Sequence, residues 1–196
     1  HLILTLTKQG FLYHQAVQEG QFDFRQRPSS SNLEGKSILI IGFGRTGSRV
    51  AARAAAFDMD LYAIDPYIDA NIIRRASGTV VTDLRAILPQ MDVVTIHCPR
   101  TLETHGLIGR EELDAMKTTA ILINTARGGI VNEIDLYAAL SSGSTNGAGI
   151  DVFEKEPPDR QNPLLGLSNV VLSPHCAGVT RESLVRMARS EEHTSE

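Results

Sequence analysis

Arg127, Glu156 and His175 are residues whose types could do chemistry together. A guanidinium is a permanently charged planar fork that grips a carboxylate through two hydrogen bonds. An imidazole takes and gives a proton near neutral pH. A carboxylate beside the imidazole orients the ring and favours its protonated form. Such a set suits proton and hydride chemistry on an anionic substrate. The three lie far apart in sequence, yet each follows a short apolar run that reads as a β-strand: AILINT (Ala120–Thr125), GAGIDVF (Gly147–Phe153) and NVVLS (Asn169–Ser173). In a parallel α/β sheet the carboxyl ends of the strands open into one crevice. That crevice would gather all three groups.

Upstream, GFGRTG places Gly42, Gly44 and Gly47 in a G-x-G-x-x-G pattern. The pattern alone is weak and needs its context. The apolar, β-branched run SILIIG (Ser37–Gly42) precedes it, and the Ala-rich, helix-prone RVAARAAAF (Arg49–Phe57) follows. Gly42 would allow a tight turn, Gly44 would let backbone approach a pyrophosphate, and Gly47 would let helix and strand pack closely. The helix N-terminus would then face the phosphates with free N–H groups. A second strand, LYAID, ends in Asp65, 18 residues past Gly47. An acid there accepts hydrogen bonds from the adenosine ribose and repels a 2′-phosphate, which favours NAD over NADP.

These residues need a scaffold, and the pattern from residue 37 onward supplies one. Strands are expected at 37–42, 60–64, 78–82, 92–97, 120–124, 146–152 and 169–173. Helices are expected at 46–57, 68–75, 83–88, 110–116, 132–141 and 180–189. Such alternation implies a parallel sheet covered on both faces. Before it lie a helical stretch, 2–19, and an irregular polar stretch, 20–36, containing Pro28 and serines at 29–31. SSGSTNG (Ser141–Gly147) reads as a helix stop and a tight loop.

Composition narrows the function classes. With 196 residues, 42% of them hydrophobic, the chain suits one domain with a buried core, with or without appendages. A net charge of −4 gives no general attraction to nucleic acid or an anionic membrane. No apolar run approaches the ~20 residues needed to span a bilayer, and no signal-peptide pattern opens the chain. Cys98 and Cys176 form no C-x-x-C, and His97 beside Cys98 lacks further ligands at metal spacing. No metal is expected, and a reduced, cytoplasmic protein is.

Taken in order, GFGRTG, Asp65, HCPRTLETHGLI (His97–Ile108), ILINTARGGIV (Ile121–Val131), GIDVFEKEPP (Gly149–Pro158) and SPHCAG (Ser173–Gly178) resemble the motifs of the NAD-dependent D-2-hydroxyacid dehydrogenases. That family includes D-3-phosphoglycerate, D-lactate, glyoxylate/hydroxypyruvate and formate dehydrogenases. The resemblance covers about residues 1–188 and implies the fold: α/β, with a Rossmann-type, doubly wound, mostly parallel seven-stranded sheet. In the family this domain is inserted in a flavodoxin-like substrate domain, which is expected to be largely absent here. Residues 1–36 would be a crossover helix and linker of that domain, 37–178 the NAD-binding domain, and 179–196 a truncated return helix. The final RSEEHTSE (Arg189–Glu196) resembles the in-frame translation of a sequencing-library adapter, which makes 189–196 non-native; an ordinary charged helix end is the alternative.

The resemblance also implies roles. Arg127 would bind the substrate carboxylate and carbonyl oxygen, His175 would be the general acid/base, and Glu156 its carboxylate partner, with Glu154 the nearest rival for that part. Arg45 and Thr46 would meet the pyrophosphate with their backbone. Cys98, Pro99 and Thr104 would lie under the adenosine, and Thr125 and Ala126 near the nicotinamide ribose. Asp151 would orient the carboxamide, and Ala177 and Gly178 would line the same pocket. The implied reaction is hydride exchange between NAD(H) and a small 2-hydroxy/2-oxo acid pair, with the fragment alone inactive. The implied assembly is a homodimer of the full-length parent, built through the 2–19 helix, whose Leu2, Leu4, Leu6, Phe11 and Leu12 would otherwise be exposed. Two other readings remain. One is an NAD(H)-sensing module, since the family also holds transcriptional corepressors. The other is a different Rossmann oxidoreductase. Short-chain dehydrogenases need Tyr-x-x-x-Lys, but Tyr13, Tyr62, Tyr67 and Tyr137 are followed four residues on by Val17, Pro66, Asn71 and Ser141.

Overall fold

A computed structural model describes residues 1–26, 29–183 and 185. Seven strands form one sheet: β1 (Ser37–Ile41), β2 (Asp60–Ile64), β3 (Thr79–Val80), β4 (Val93–Ile96), β5 (Ile121–Asn124), β6 (Gly147–Ile150) and β7 (Val170–Leu172). Their spatial order is β3-β2-β1-β4-β5-β6-β7 and every pairing is parallel. The expected mostly parallel sheet is therefore wholly parallel. The chain runs outward from β1 to β3, then crosses back to β4 on the other side of β1. The strand order reverses there, where α/β sheets open a ligand crevice.

The central strands are apolar because both faces are covered. All of β1, β4 and β5 is buried. Leu39, Val94 and Leu122 join Leu136 and Leu140 on one face, and Ile38, Ile40 and Ile123 join Ala51 and Ala54 on the other. The helices in chain order are α1 (Leu2–Lys8), α2 (Gly10–Gln18), α3 (Arg45–Ala55), α4 (Ala70–Arg75), α5 (Leu84–Ile87), α6 (Arg110–Ala115) and α7 (Glu133–Ser142). Side-chain caps fix several of them: Asp69, Asp83 and Asn132 each accept a first-turn backbone N–H.

The single helix expected over 2–19 is instead two. Gln9 adopts the left-handed conformation, φ 49°, ending α1, and Gly10 opens α2 in a new direction. Of these two, it is α1 that packs on the sheet. A Cβ on Gly149 of β6 would lie 2.8 Å from Cβ of Leu2, so the small residues of GAGI let α1 approach closely. Leu2 is buried and Leu4 and Leu6 are half-buried, whereas Phe11 and Leu12 on α2 are exposed. The strands expected at 78–82 and 146–152 shorten to Thr79–Val80 and Gly147–Ile150. The helix expected at 83–88 ends at Ile87 and continues as a 3-10 turn, Leu88–Gln90, where Pro89 cannot donate an α-helical hydrogen bond. Half of the helix expected at 180–189, and all of the segment 189–196, lie outside the described residues, as does Pro28. Among the described residues no helix is long and apolar enough to cross a membrane, and no His/Cys/Asp/Glu cluster could hold a metal ion.

Candidate active site

The glycine turn after β1 has the spacing its three glycines require. Gly42 sits at φ 92°, where a Cβ would lie 2.6 Å from the Cys98 backbone nitrogen. A Cβ on Gly47 would meet the Gly42 carbonyl oxygen at 2.0 Å. On Gly44 a Cβ would meet nothing within 4 Å. Gly42 and Gly47 are therefore forced by packing, while Gly44 presents bare backbone to open space at the start of α3. Arg45 and Thr46 begin that helix and are exposed. Asp65, at the end of β2, accepts the Phe43 N–H (2.7 Å) and the Tyr67 N–H (2.9 Å), which fixes its carboxylate beside the turn. A cavity of about 330 Å³ lies there, lined by Gly42, Gly44, Asp65, Cys98, Pro99 and Thr104 among others.

Next along the strand ends, a second cavity of about 430 Å³ is lined by Thr46, His97, Cys98, Pro99, Arg100, Thr125, Ala126 and Arg127. Asn124, the last residue of β5, holds the loop that lines it. Its side chain accepts the Ala126 N–H and donates to the Arg127 carbonyl. The Arg127 guanidinium donates to the Ala126 carbonyl at 2.6 Å and otherwise faces out. His97 is mostly buried with its Nε2 3.0 Å from the Thr95 hydroxyl, and burial pushes its pKa down to about 4, so the ring is neutral at pH 7.

Glu156 and His175 meet directly. Glu156 Oε2 lies 2.7 Å from His175 Nδ1, and its Oε1 accepts the Phe153 N–H at 3.0 Å. The hydrogen bond from His175, then that from Phe153, holds the Glu156 carboxyl below its ordinary value. The pair lines a third cavity of about 390 Å³ with Phe153, Pro157, Leu172 and Pro174. Glu154, the rival candidate, uses its backbone N–H on Glu133 instead. Arg127 forms no hydrogen bond to the pair. It is joined to them through backbone packing: a Cβ on neighbouring Gly128 would lie 1.7 Å from the Phe153 carbonyl oxygen, so the loops after β5 and β6 touch there.

Asp151 organises the loop that carries His175. Its Oδ1 accepts the Ser173 hydroxyl (2.5 Å) and the Cys176 N–H (2.9 Å), and its Oδ2 accepts the Ala177 N–H (2.9 Å). Its carbonyl accepts the His175 N–H at 2.8 Å. Burial alone would raise the Asp151 carboxyl, but these donors, led by Ser173, and positive charge on His175 outweigh it and hold the group below its ordinary value. Both oxygens thus turn toward the loop: Oδ1 is filled by two donors, and Oδ2 keeps a lone pair for a further one. Ala177 and Gly178 are exposed beyond it.

Five positions escaped the sequence reading. Asn124 and Ser173 hold the loops, Arg100 lines the Arg127 cavity, and the Tyr67 hydroxyl hydrogen-bonds Glu103 at 2.7 Å beside Asp65. A polar Asn closing a buried strand, three residues before Arg127, was the available signal for the first.

Residues 1–177 match the family described as D-isomer specific 2-hydroxyacid dehydrogenase, NAD binding domain. The chain belongs to this family. It is 44% identical over 168 residues to a D-3-phosphoglycerate dehydrogenase of Archaeoglobus fulgidus, covering 86% of this chain and 32% of that protein. It is 40% identical over 192 residues to a glyoxylate reductase of Thermofilum pendens, covering 95% of this chain and 56% of that protein. The structure of Aquifex aeolicus D-lactate dehydrogenase, solved with NAD and lactic acid, superposes with a TM-score of 0.90 at 32% identity, covering 99% of this chain and 62% of that one. The chain thus spans about a third to just over half of the curated relatives' length. NAD is the cofactor of this family's domain, and the open backbone at Gly44, the helix N-terminus behind it and the fixed Asp65 carboxylate fit that group.

Proposed function

We propose that this chain is the nucleotide-binding part of an NAD-dependent D-2-hydroxyacid dehydrogenase, exchanging a hydride with a small 2-hydroxy/2-oxo acid pair. The observation that carries this reading is the 2.7 Å contact between Glu156 and His175 at the strand ends that also carry the nucleotide turn and Arg127. NAD, when bound, supplies the hydride acceptor, and NADH its donor. His175 Nδ1 is engaged by Glu156, so Nε2 is the atom that gives a proton to the 2-oxo oxygen in reduction and takes the hydroxyl proton in oxidation. Glu156 holds the ring and stabilises its charged form. Arg127 grips the substrate carboxylate and the carbonyl oxygen, steadying negative charge as it develops.

Around them, Gly42, Gly44, Arg45, Thr46 and Gly47 receive the pyrophosphate. Asp65, Cys98, Pro99 and Thr104 receive the adenosine, and Thr125, Ala126, Asp151, Ala177 and Gly178 the nicotinamide end. The domain proper is 37–178, with 1–36 and 179–188 belonging to a separate substrate domain and 189–196 read as non-native. The full-length parent is a cytoplasmic homodimer without a nucleic-acid or membrane partner, in keeping with the net charge of −4.

The test is a completed chain, with a substrate domain joined, assayed for NADH oxidation against glyoxylate, pyruvate and 3-phosphohydroxypyruvate. His175→Ala should lower kcat by roughly 10²–10⁴-fold. Arg127→Ala should damage KM and kcat together. Glu156→Gln should be milder and shift the pH–rate profile. Full turnover in His175→Ala would overturn the assignment. The chain as it stands should bind NADH and show almost no hydride transfer, because no opposite wall orients the substrate and excludes water.

A further inference from the structure

Charge is divided sharply along the crevice. The cavity at Arg127 is lined by two guanidiniums, Arg100 and Arg127, and by no carboxylate. The cavity at Asp65 is lined by two carboxylates, Asp65 and Glu103, and by no Lys or Arg. His97, which borders both, is neutral at pH 7 and offsets neither.

Glu103 is not a drifting surface acid. The Tyr67 hydroxyl donates to its Oε2 at 2.7 Å, across 36 residues of sequence, joining the loop after β2 to the loop after β4. The Tyr67 backbone N–H at the same time donates to Asp65 at 2.9 Å. One residue therefore ties both carboxylates: Asp65 through its amide and Glu103 through its phenol. The hydrogen bond and charge of Glu103 raise the Tyr67 pKa, so the phenol keeps its proton and remains the donor. Next to Glu103, the Thr104 hydroxyl donates to the Pro99 carbonyl and receives the Thr101 N–H, which stiffens the loop.

A ligand that leaves neutral hydroxyls at this end meets two acceptors. One that carries a phosphate there meets two like charges. We propose that Glu103, held by Tyr67, is a second determinant of nucleotide choice, acting with Asp65 against a 2′-phosphate on the adenosine ribose. Glu103 meets the ribose end of the nucleotide, and Tyr67 is a positioning residue that acts through it. The inference rests on the NAD reading of this crevice and adds that Asp65 does not set the selectivity alone.

The experiment is fluorescence titration of the chain with NADH and with NADPH, comparing the unaltered protein with Asp65→Ala, Glu103→Gln, Tyr67→Phe and the Asp65→Ala/Glu103→Gln pair. A like charge several ångströms from a phosphate at a solvent-facing site changes affinity by roughly tenfold. Glu103→Gln should therefore tighten NADPH by about that factor and weaken NADH by less, since the amide keeps one acceptor oxygen for the ribose hydroxyls. Tyr67→Phe should move NADPH in the same direction by less, because the carboxylate is freed rather than removed. A merely structural role for Tyr67 would weaken both nucleotides together. Asp65→Ala should keep a residual preference for NADH that only the double variant abolishes, and that residue of preference should shrink as salt rises. If Glu103→Gln leaves the NADPH-to-NADH affinity ratio within twofold of the unaltered chain, the inference fails while the NAD reading stands. If the unaltered chain binds no NADH, both fail.

Discussion

His175 sits in the left-handed region, at φ 52°, a conformation that costs a non-glycine residue roughly 1–2 kcal/mol. Asp151 offsets that strain. Its carbonyl takes the His175 N–H, and its carboxylate takes the next two amides and the Ser173 hydroxyl. Asp151→Asn keeps the volume but replaces one acceptor oxygen with a donor, leaving a buried amide facing an amide. It should lower the stability of the chain by about 1–3 kcal/mol, measured by urea unfolding. The pH dependence has a definite sign. Asp151 is depressed in the folded state, so its contribution is present above its ordinary value of 3.8 and is lost as pH falls through the lower, folded value. Acid titration of the Asn variant should be flatter in that low window, and equal slopes would remove Asp151 from this role. The motif around His175 was legible in sequence. The partner that bends the backbone beneath it was not, because Asp151 lies just past the neighbouring strand, and its letters alone give no hint of where its oxygens point.

At the scale of elements, the strand–turn–helix unit separates packing from binding. Gly47 has backbone 2.0 Å from where a Cβ would sit, and Gly44 has nothing within 4 Å. Gly47→Ala should therefore destabilise by at least the roughly 1–3 kcal/mol of an overpacked core, since the obstruction is a carbonyl that cannot rotate away. Gly44→Ala, at φ −70°, should fold with a change within about 0.5 kcal/mol and lose NADH affinity by at least roughly tenfold, because the methyl group fills the approach of the pyrophosphate. Thermal unfolding and NADH titration together check this. A Gly44→Ala chain that binds normally would refute the pyrophosphate reading of the turn. All seven strands were readable from apolar runs, most clearly β1, β4, β5 and β6, where burial of both faces leaves little room for polar residues. Their ends were not. The run GAGIDVF looks continuous, yet pairing stops at Ile150, where Asp151 turns inward to the His175 loop. The break at Gln9 was equally hidden, since only a left-handed backbone marks it.

Across the whole molecule, the sheet gathers residues from five strand ends into one row, acidic at Asp65 and Glu103, basic at Arg100 and Arg127, then the Glu156–His175 pair. The opposite flank has a different character. The angle at Gln9 swings α2 off the sheet and opens a groove of about 950 Å³ between α1, α2 and the edge strand β7, walled by Leu4, Leu6, Phe11, Leu12, Val170 and Leu172. Phe11 is 73% and Val17 60% exposed, an apolar face too large for a helix end that meets only water. Within the chain α2 is tied down mainly at its own turn, where the rings of Tyr13 and Phe24 meet edge to face at 5.5 Å. A second copy of the chain, offering the same face about a two-fold axis, would cover both helices at once. Sedimentation velocity at micromolar concentration should therefore show a dimer, and Phe11→Glu with Leu12→Glu should shift it to monomer. These side chains contribute little to the chain's own core, so the double variant should keep NADH binding and its Gly44-to-Asp65 crevice intact. A monomer in the unaltered protein at those concentrations would rule out this face as the contact.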